Sequence, residues 1–201
     1  PWSMASTPAY CYYDNNAENK ADNGALYNGF AVSTGNLCPV GWHVPTQTDW
    51  ETLNTFISAN YSGQEGEALK ITTSFSSNLD DPYGFSALPA GYRSTGGDFY
   101  GDAYFWTSTE FSPDVLYYHY LQMWVPTLEQ GQISSEAGHS VRCIRNETKF
   151  SGGTGIEGDA YQISTVADLN ELAQSPETWD KHFLLTTNID ATQTNSWYAG
   201  E

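Results

Sequence analysis

The chain has few positive charges. Its 201 residues include 24 acidic but only 7 basic side chains, which gives a formal net charge of −17. A protein that binds a phosphate backbone needs clustered Lys and Arg, and three arginines with four lysines are too few to form such a cluster. The same shortage argues against adhesion to anionic lipid. Charge therefore excludes nucleic acid and anionic membrane surfaces as partners.

Long apolar runs are also missing. No stretch approaches the roughly 18 to 20 apolar residues that a membrane-spanning helix requires. Aromatic residues nevertheless make up 15% of the chain, and 18 positions are glycine. Disordered acidic chains lack such aromatic content, so we expect a folded, loop-rich protein. The acidity and the scarcity of lysine favour an exported surface protein over a cytosolic enzyme.

Cysteine is scarce, with only Cys11, Cys38 and Cys143. Cys38 and Cys143 are about a hundred residues apart, and closing so long a loop would stabilise the fold by roughly 4 to 5 kcal/mol if the pair is oxidised. We therefore predict a Cys38–Cys143 disulfide, which leaves Cys11 over. The alternative is three buried thiols that act as small hydrophobic side chains.

One helix is well marked. Thr46 is a capping candidate, and apolar residues recur after it at helical spacing, at Trp50, Leu53, Phe56 and Ile57. Aromatic and β-branched residues bounded by turn residues predict strands over 26–32, 104–109, 116–124 and 140–144. Gly96, Gly97 and Asp98 predict a hairpin turn between Tyr92 and Phe99. The tryptophans expected in the core are Trp42, Trp50 and Trp106. One helix followed by short strands indicates an α+β fold.

Five separated motifs carry a resemblance to a known family. They are Gly24-Ala-Leu-Tyr-Asn-Gly-Phe-Ala-Val32, Leu37-Cys-Pro-Val-Gly-Trp-His-Val-Pro-Thr46, Gly84-Phe-Ser-Ala-Leu-Pro-Ala-Gly-Tyr-Arg93, Phe105-Trp-Thr-Ser-Thr-Glu110 and Ser140-Val-Arg-Cys143. With these motifs in order over residues 10–146, the chain resembles the Fibrobacter succinogenes major paralogous domain. The resemblance implies a C-type-lectin-like fold in which N- and C-terminal strands pair, and a secreted or surface protein of bacteria.

The resemblance also suggests where a ligand would bind. It extends to relatives in which the residues between the Trp106 motif and the final strand are diversified and form an exposed face, here residues 111–139. The ligand-binding candidates on that face are Tyr117, His119, Gln122, Trp124 and Gln132, which suit stacking on sugars or anchoring a protein. This choice places Tyr118 and Tyr120 inward, and the opposite alternation along the strand is the alternative. A third possibility is an aromatic-rich sheet that binds nothing.

Three acidic residues are candidates for a calcium site, because hard cations prefer several oxygen ligands. They are Asp98, Asp102 and Glu110. The Glu-Pro-Asn, Gln-Pro-Asp and Trp-Asn-Asp motifs of sugar-binding lectins with this fold do not occur in the chain, so calcium-mediated sugar binding is not indicated. No other cofactor is expected.

Enzymatic activity is the weaker interpretation. The formylglycine-generating enzymes share the implied fold, but their chemistry needs a closely spaced cysteine pair late in the domain. Cys143 is the only cysteine in the late part of this domain. We therefore predict a protein that is not an enzyme, with a formylglycine-generating-like activity as the weaker alternative.

The C-terminal part differs in character. A Gly-rich linker over 150–156 separates a first domain, residues 1–149, from residues 157–201, in which Lys181 is the only basic residue. Segments 159–165 and 182–190 flank a helix-like stretch and resemble the first unit of the right-handed β-helix repeats of bacterial adhesins. We expect residues 157–201 to be the truncated start of a β-solenoid whose continuation lies elsewhere in a longer parent chain. The alternative is that apolar residues of this segment pack on the first domain.

Taken together, these features predict a non-catalytic recognition or adhesion module of an exported bacterial surface protein. Its partner would be a glycan or a surface protein, and its location extracellular or on the cell surface. The alternative is a purely structural spacer or cap of a β-solenoid. A contiguous patch of outward-facing aromatic side chains would favour recognition, since such patches mark interaction sites.

Overall fold

The computed structural model describes residues 6–39, 42–75, 79, 81–145, 150–192 and 194. The chain divides into two compact units. The first comprises Pro1–Pro39 and His43–Ile144, and the second comprises Val40–Trp42 and Arg145–Glu201. The predicted domain boundary at residue 149 falls within 146–149, which lie outside the described residues.

Most helices and strands are short, and the longest of each among the described residues are α3 and β6. The α-helices of the described residues are α1 (Lys20–Asn23), α2 (Gly29–Val32), α3 (Gln47–Tyr61), α4 (Thr72–Phe75) and α5 (Val166–Gln174). The strands are β1 (Tyr10–Cys11), β2 (Leu26–Asn28), β3 (Trp42–His43), β4 (Tyr92–Arg93), β5 (Phe99–Tyr100), β6 (Ala103–Ser112), β7 (Val115–Leu121), β8 (Glu129–Ser134), β9 (Gly138–His139), β10 (Ile144–Arg145), β11 (Tyr161–Ile163) and β12 (Phe183–Leu185). Short 3₁₀ turns occupy Tyr13–Asn15, Ala17–Asn19, Glu67–Leu69 and Pro176–Thr178. The predicted α+β class is confirmed.

Helix α3 begins where the sequence predicts. The Thr46 side chain accepts a hydrogen bond from the Asp49 backbone N–H, and the Asp49 carboxylate accepts one from the Thr46 backbone N–H, which completes a capping box. Trp50 and Ile57 are buried. Phe56 is 60% exposed and lies outside the core, so its predicted burial is wrong.

An antiparallel sheet of β6, β7 and β8 forms the centre of the first unit. Strand β7 ends at Leu121, three residues earlier than predicted, because residues from Gln122 onward turn back toward β8. Strand β8 was not predicted, since its sequence Glu-Gln-Gly-Gln-Ile-Ser has few residues that favour strands. Strands β6 and β7 of this sheet are rich in aromatic residues.

A second sheet joins short strands in the order β1-β2-β9-β4-β5. The predicted strand over 26–32 is half right, because the Asn28 side chain accepts a hydrogen bond from the Ala31 N–H and starts helix α2. The predicted strand over 140–144 is largely wrong. Ser140 makes only a single bridge to Phe105, and the strands lie on either side of it, in β9 and β10. The hairpin of β4 and β5 is confirmed.

The core has two apolar clusters, one on each face of the β6–β7–β8 sheet. Adjacent residues of β6 point to opposite faces, so Phe105 packs with Trp50 and Leu121 in one cluster. Trp106 packs with Leu116 in the other. Trp50 and Trp106 are buried as predicted, whereas Trp42 is 40% exposed.

The predicted disulfide is confirmed. Cys38 and Cys143 are bonded, and Cys38 packs against the cluster around Trp106. Cys11 carries a free thiol. The bond closes a loop of 105 residues that contains α3 and most of the first unit's strands.

The second unit contains a parallel strand pair. Tyr161, Gln162 and Ile163 of β11 lie opposite Phe183, Leu184 and Leu185 of β12, and α5 connects the two strands. A second capping box, formed by Thr165 and Asp168, starts α5. Among the described residues, no helix is both long and apolar enough to cross a membrane.

Candidate ligand-binding surface

His119, one of the predicted ligand-binding residues, lies in the core. It is 5% exposed, because α3 covers its face of β7. Its ring stacks on Trp50 with centroids 5.0 Å apart, and its Nε2 lies 3.1 Å from Gln47 Oε1. Burial lowers the pKa of His119 to about 4, so the imidazole is neutral at pH 7. Its expected outward orientation is therefore wrong.

The other predicted residues lie apart from one another. Tyr117 is partly buried and contacts the exposed Phe111 ring edge-on, at 5.5 Å between centroids. Gln132 lies opposite Tyr117 on β8 and is exposed. Trp124 is 85% exposed, but it and Gln122 follow the other end of β7. The structure thus brings Tyr117 and Gln132 together and leaves Trp124 and Gln122 elsewhere.

The three predicted calcium ligands do not converge. Asp98 lies in the turn before β5, and Asp102 accepts a hydrogen bond from the Met123 backbone N–H. Glu110 is exposed and lies toward the far end of β6, eight residues after Asp102, which corresponds to at most about 26 Å at the rise of an extended strand. Within the described parts of the chain, no three His, Cys, Asp or Glu side chains are grouped so that they could hold a metal ion.

Five tyrosines from the two sheets of the first unit form a continuous array, in which the members on β6 and β7 point to the face of the long sheet opposite His119. We call this array the tyrosine surface, and its members are Tyr92, Tyr100, Tyr104, Tyr118 and Tyr120. The strand registers create it, because Tyr92 pairs with Tyr100 across β4–β5 and Tyr104 pairs with Tyr120 across β6–β7. Both pairs are stacked, with centroids 5.1 and 5.5 Å apart. Tyr92 and Tyr104, 4.4 Å apart, join the two pairs.

Tyr118 extends the tyrosine surface along β7. Its ring lies 5.6 Å from Tyr120 and 6.0 Å from Tyr104. Gly131 is its partner on β8, and a Cβ at that position would be 2.6 Å from atoms of the Tyr118 ring. The absence of a side chain at Gly131 therefore lets Tyr118 lie across β8.

The hydroxyl groups of the tyrosine surface are available to a ligand. None of the five hydroxyls donates a hydrogen bond to a described residue, and none is buried without a partner. Burial raises the pKa of Tyr104, and the nearby Asp102 and tyrosines raise it further. Burial followed by neighbouring tyrosines also raises the pKa of Tyr92 and Tyr118. These phenols therefore remain protonated, and so remain hydrogen-bond donors, at pH 7.

A buried histidine supports the tyrosine surface from below. His139 is fully buried, stacked on Trp106 at 4.4 Å and edge-on to Tyr118 at 4.6 Å. Burial lowers its pKa to about 3. Neither ring nitrogen has a hydrogen-bond partner among the described residues. His139 therefore acts as a neutral aromatic packing element.

The family of the chain follows from a comparison of its sequence with family models. The model of the Fibrobacter succinogenes major domain matches residues 3–145. The chain belongs to this family. No curated protein and no solved structure matches the chain. The Fibrobacter succinogenes major domain of this chain contains all five members of the tyrosine surface.

Sequence reasoning missed the tyrosine surface, although the sequence contains a signal for it. The predicted Gly96-Gly97-Asp98 hairpin already sets Tyr92 against Tyr100. Tyr118 and Tyr120 alternate along a predicted strand and must share a face. The missing information was the pairing of β6 with β7, which no local pattern specifies. In this Fibrobacter succinogenes major domain, the tyrosine surface lies on the face of β7 that contains Tyr118 and Tyr120. The ligand was predicted to bind on the other face.

Proposed function

We propose that the chain is a non-catalytic recognition module that binds an uncharged glycan through the tyrosine surface. The observation that carries this proposal is the array of five adjacent phenol rings whose hydroxyls donate to no described residue. Ring faces and edges pack against the apolar C–H groups of sugars, while hydroxyls exchange hydrogen bonds with sugar hydroxyls. Tyr100, which is 48% exposed, would be the most accessible member.

Charge supports an uncharged ligand. The net charge of −17 repels acidic polysaccharides at long range. Acidic groups also lie close to the tyrosine surface, since Asp102 precedes Tyr104 and Glu129 pairs with Tyr120 across β7–β8. A neutral glycan meets neither repulsion.

We further propose that the Fibrobacter succinogenes major domain has a C-type-lectin-like fold and acts outside the cell. The pairing of β2 with β9 joins the beginning and the end of the domain, as the resemblance implies. The Cys38–Cys143 disulfide is consistent with an oxidising, extracellular compartment. Recognition at a bacterial surface fits both features.

A role as a structural spacer is the second candidate, and the second unit favours it. We propose that β11, α5 and β12 begin a β-solenoid, because the two strands are parallel and their residues are matched at an offset of 22. The matched side chains Tyr161 and Phe183 lie 5.7 Å apart, as in stacked rungs. In this second candidate, the Fibrobacter succinogenes major domain would space or cap the solenoid and bind no ligand.

A glycan array probed with the purified chain tests the proposed function. We expect saturable binding to one class of neutral glycans, with and without a calcium chelator. A Tyr100→Ala/Tyr120→Ala variant should bind at least about tenfold more weakly, since each stacking contact is worth about 1 kcal/mol. The matched control is Tyr117→Ala/Trp124→Ala, which removes two aromatic residues outside the tyrosine surface and should bind like the wild type.

Two outcomes would overturn the proposal. If no glycan binds saturably, a protein ligand or a purely structural role remains. If glycan binding is lost in the control variant and retained in the Tyr100→Ala/Tyr120→Ala variant, the ligand binds on the face of Tyr117 instead.

A further inference from the structure

A separate cleft lies between helix α3 and the residues Phe85, Arg142 and Ile144. Its volume is about 530 Å³, within the range of roughly 300 to 1,000 Å³ that is usual for small-molecule sites. The side chains that matter to its chemistry are Trp50, Leu53, Phe56, Phe85, Arg142 and Ile144. No member of the tyrosine surface lines it, so its ligand would be distinct from the proposed glycan.

The lining of the cleft is largely apolar and includes one cation, Arg142, and one carboxylate, Asp49. The guanidinium carbon of Arg142 lies 3.9 Å from the centroid of the Phe85 ring, which holds the charge beside the apolar wall. Arg142 is partly buried, and burial lowers its pKa, which the negative charge of Asp81 partly offsets. Arg142 donates no hydrogen bond to a described residue. Its planar set of N–H groups is therefore free to bind an acceptor from a ligand.

Trp50, which lines the cleft, contains a second donor without an acceptor. Trp50 is 2% exposed, and its Nε1–H has no hydrogen-bond partner among the described residues. Trp106 provides the contrast, since its Nε1–H donates to the Tyr27 carbonyl at 2.7 Å. A buried N–H without a partner costs free energy. A ligand whose acceptor atom reached the Trp50 N–H would remove this cost and would therefore bind more tightly.

Two carboxylates lie near the cleft, and each accepts hydrogen bonds from a neighbouring hydroxyl and backbone N–H group. Asp49 lines the cleft, but its Oδ2 accepts hydrogen bonds from Thr46 and lies 3.2 Å from His43 Nε2. Asp81 Oδ2 accepts from the backbone N–H and hydroxyl of Ser86, whereas its buried Oδ1 has no hydrogen-bond partner among the described residues. The charge of Asp81 also acts on Arg142 and favours its protonated form. The cleft thus offers donors and an apolar wall, which is complementary to an acceptor that carries an apolar body.

We propose that this cleft binds a small organic carboxylate with an aromatic or aliphatic body. The carboxylate receives paired hydrogen bonds from Arg142, and the body packs against Leu53, Phe56 and Ile144. Repulsion from the distant negative charges of the chain is screened beyond about 8 Å at physiological ionic strength, and Arg142 provides the positive charge that the carboxylate contacts. A free small acid fits the volume of the cleft better than a polymer does.

Titration of the full chain with 3-phenylpropionate, followed in ¹H–¹⁵N spectra, tests this proposal. We expect saturable shifts of the Trp50 indole N–H signal, which a Trp50→Phe variant identifies. The uncharged 3-phenylpropanamide has the same body and should bind at least roughly tenfold more weakly, because it lacks the charge-assisted hydrogen bonds. Acetate, which lacks the body, should cause no saturable shift.

Variants localise the binding without relying on one substitution. Arg142→Gln should weaken 3-phenylpropionate binding to the level of the amide, and Arg142→Lys should retain part of the affinity. Lys181→Gln removes the same charge from an exposed site in the second unit and should leave the affinity unchanged. The comparison of acid and amide uses the wild-type chain, so it stands even if an Arg142 variant folds poorly.

Equal binding of acid and amide, or no saturable shift with either, would overturn the proposal. A blocked dipeptide that ends in a free phenylalanine carboxylate provides a further arm. Binding of this peptide at least tenfold tighter than 3-phenylpropionate would contradict the small-acid assignment and indicate a peptide C-terminus as the ligand. The glycan assay depends on the tyrosine surface, which does not line this cleft. The result of this titration therefore neither supports nor contradicts the proposed function.

Discussion

The imidazole of His139 is stacked on the indole of Trp106, with centroids 4.4 Å apart and planes inclined by only 21°. The stack is fixed on one side by the hydrogen bond from Trp106 Nε1–H to the Tyr27 carbonyl. On the other side it contacts Tyr118, Tyr92 and Tyr104. The tyrosine surface is therefore held by a packed aromatic layer, so little conformational freedom would be lost when a ligand binds.

Two buried histidines predict a specific pH dependence of stability. The pKa of His139 is about 3 and that of His119 about 4, whereas an unfolded histidine titrates near 6.5. As pH falls below about 6.5, the unfolded state takes up protons that the folded state does not. The free energy of unfolding should therefore be highest above pH 6.5 and fall toward pH 4, by up to about 2.7 kcal/mol per pH unit for two protons.

Urea unfolding at several pH values, followed by tryptophan fluorescence, measures this slope. Between pH 6.5 and 5 the slope reports mainly on the histidines. The carboxyl groups of Asp49 and Asp168 have lowered pKa values in the folded state, so their contribution to stability is lost only below about pH 5. His119→Gln and His139→Gln should each lower the slope by up to half, because each substitution removes one of the two protons that the unfolded state takes up. An unchanged slope in the double variant would show that other groups cause the pH dependence.

The Cys38–Cys143 disulfide should contribute substantially to stability. It closes a loop of 105 residues, for which the loss of chain entropy in the unfolded state predicts about 4 to 5 kcal/mol. Replacing both cysteines by serine should lower the free energy of unfolding by about this amount in urea titrations. A change below about 1 kcal/mol would contradict the prediction.

Cys11 provides the control for the disulfide variant. It has a free thiol, so Cys11→Ser should leave most of the stability in place. Burial raises the pKa of this thiol to about 11, an effect that the positive charge of Arg93 partly offsets. At pH 8 the thiol should therefore react with thiol reagents much more slowly than free cysteine. Rapid, complete reaction of the native chain would contradict the raised pKa of the partly buried Cys11 thiol.

Local signals in the sequence predicted the local features of the fold. The capping box at Thr46, the Gly96-Gly97 hairpin and the Cys38–Cys143 pair depend on residues whose chemistry specifies them directly. The exposed position of Phe56 shows the limit of this approach. Helical spacing places Phe56 beside Leu53, but the width of the covered face depends on what packs there.

Features that depend on pairing between distant strands could not be predicted. The alternation in β7 allowed either face to be outward, and the packing of His119 against Trp50 of α3 decides between them. Strand β8 is polar and contains Gly131, so its own sequence gives no strand signal, and its pairing with β7 determines its conformation. The tyrosine surface arises from four strands at once and is invisible in any one of them.

Gly131 controls the shape of the tyrosine surface. A Cβ at this position would lie 2.6 Å from Tyr118 ring atoms, so Gly131→Ala should displace the Tyr118 ring. We expect a loss of about 1 to 3 kcal/mol in the free energy of unfolding and weaker glycan binding. Urea titration and the glycan assay measure the two effects.

Gly101→Ala is the matched control, because no atom within 4 Å meets a Cβ added there. It should change neither stability nor binding by much. Equal effects of the two substitutions would mean that loss of a glycine, and not contact with Tyr118, causes the change.

A buried lysine predicts an asymmetry between two substitutions. Lys70 is fully buried, and its Nζ donates to Glu67 Oε1 at 2.7 Å and to the Val125 carbonyl at 2.8 Å. Glu67→Ala removes the opposite charge and leaves the ammonium in the core, which should cost about 3 to 5 kcal/mol. Lys70→Met keeps most of the volume without a charge and should cost clearly less.

Urea titrations of the two single variants and of Glu67→Ala/Lys70→Met test this asymmetry. The double variant should be more stable than Glu67→Ala alone, because it no longer buries an ammonium without its carboxylate. If Glu67→Ala is no more destabilising than Lys70→Met, solvent reaches Lys70 in the variant, and the pair contributes little to the stability of the core. The sign of the difference between the double variant and Glu67→Ala therefore decides whether the buried charge needs its partner.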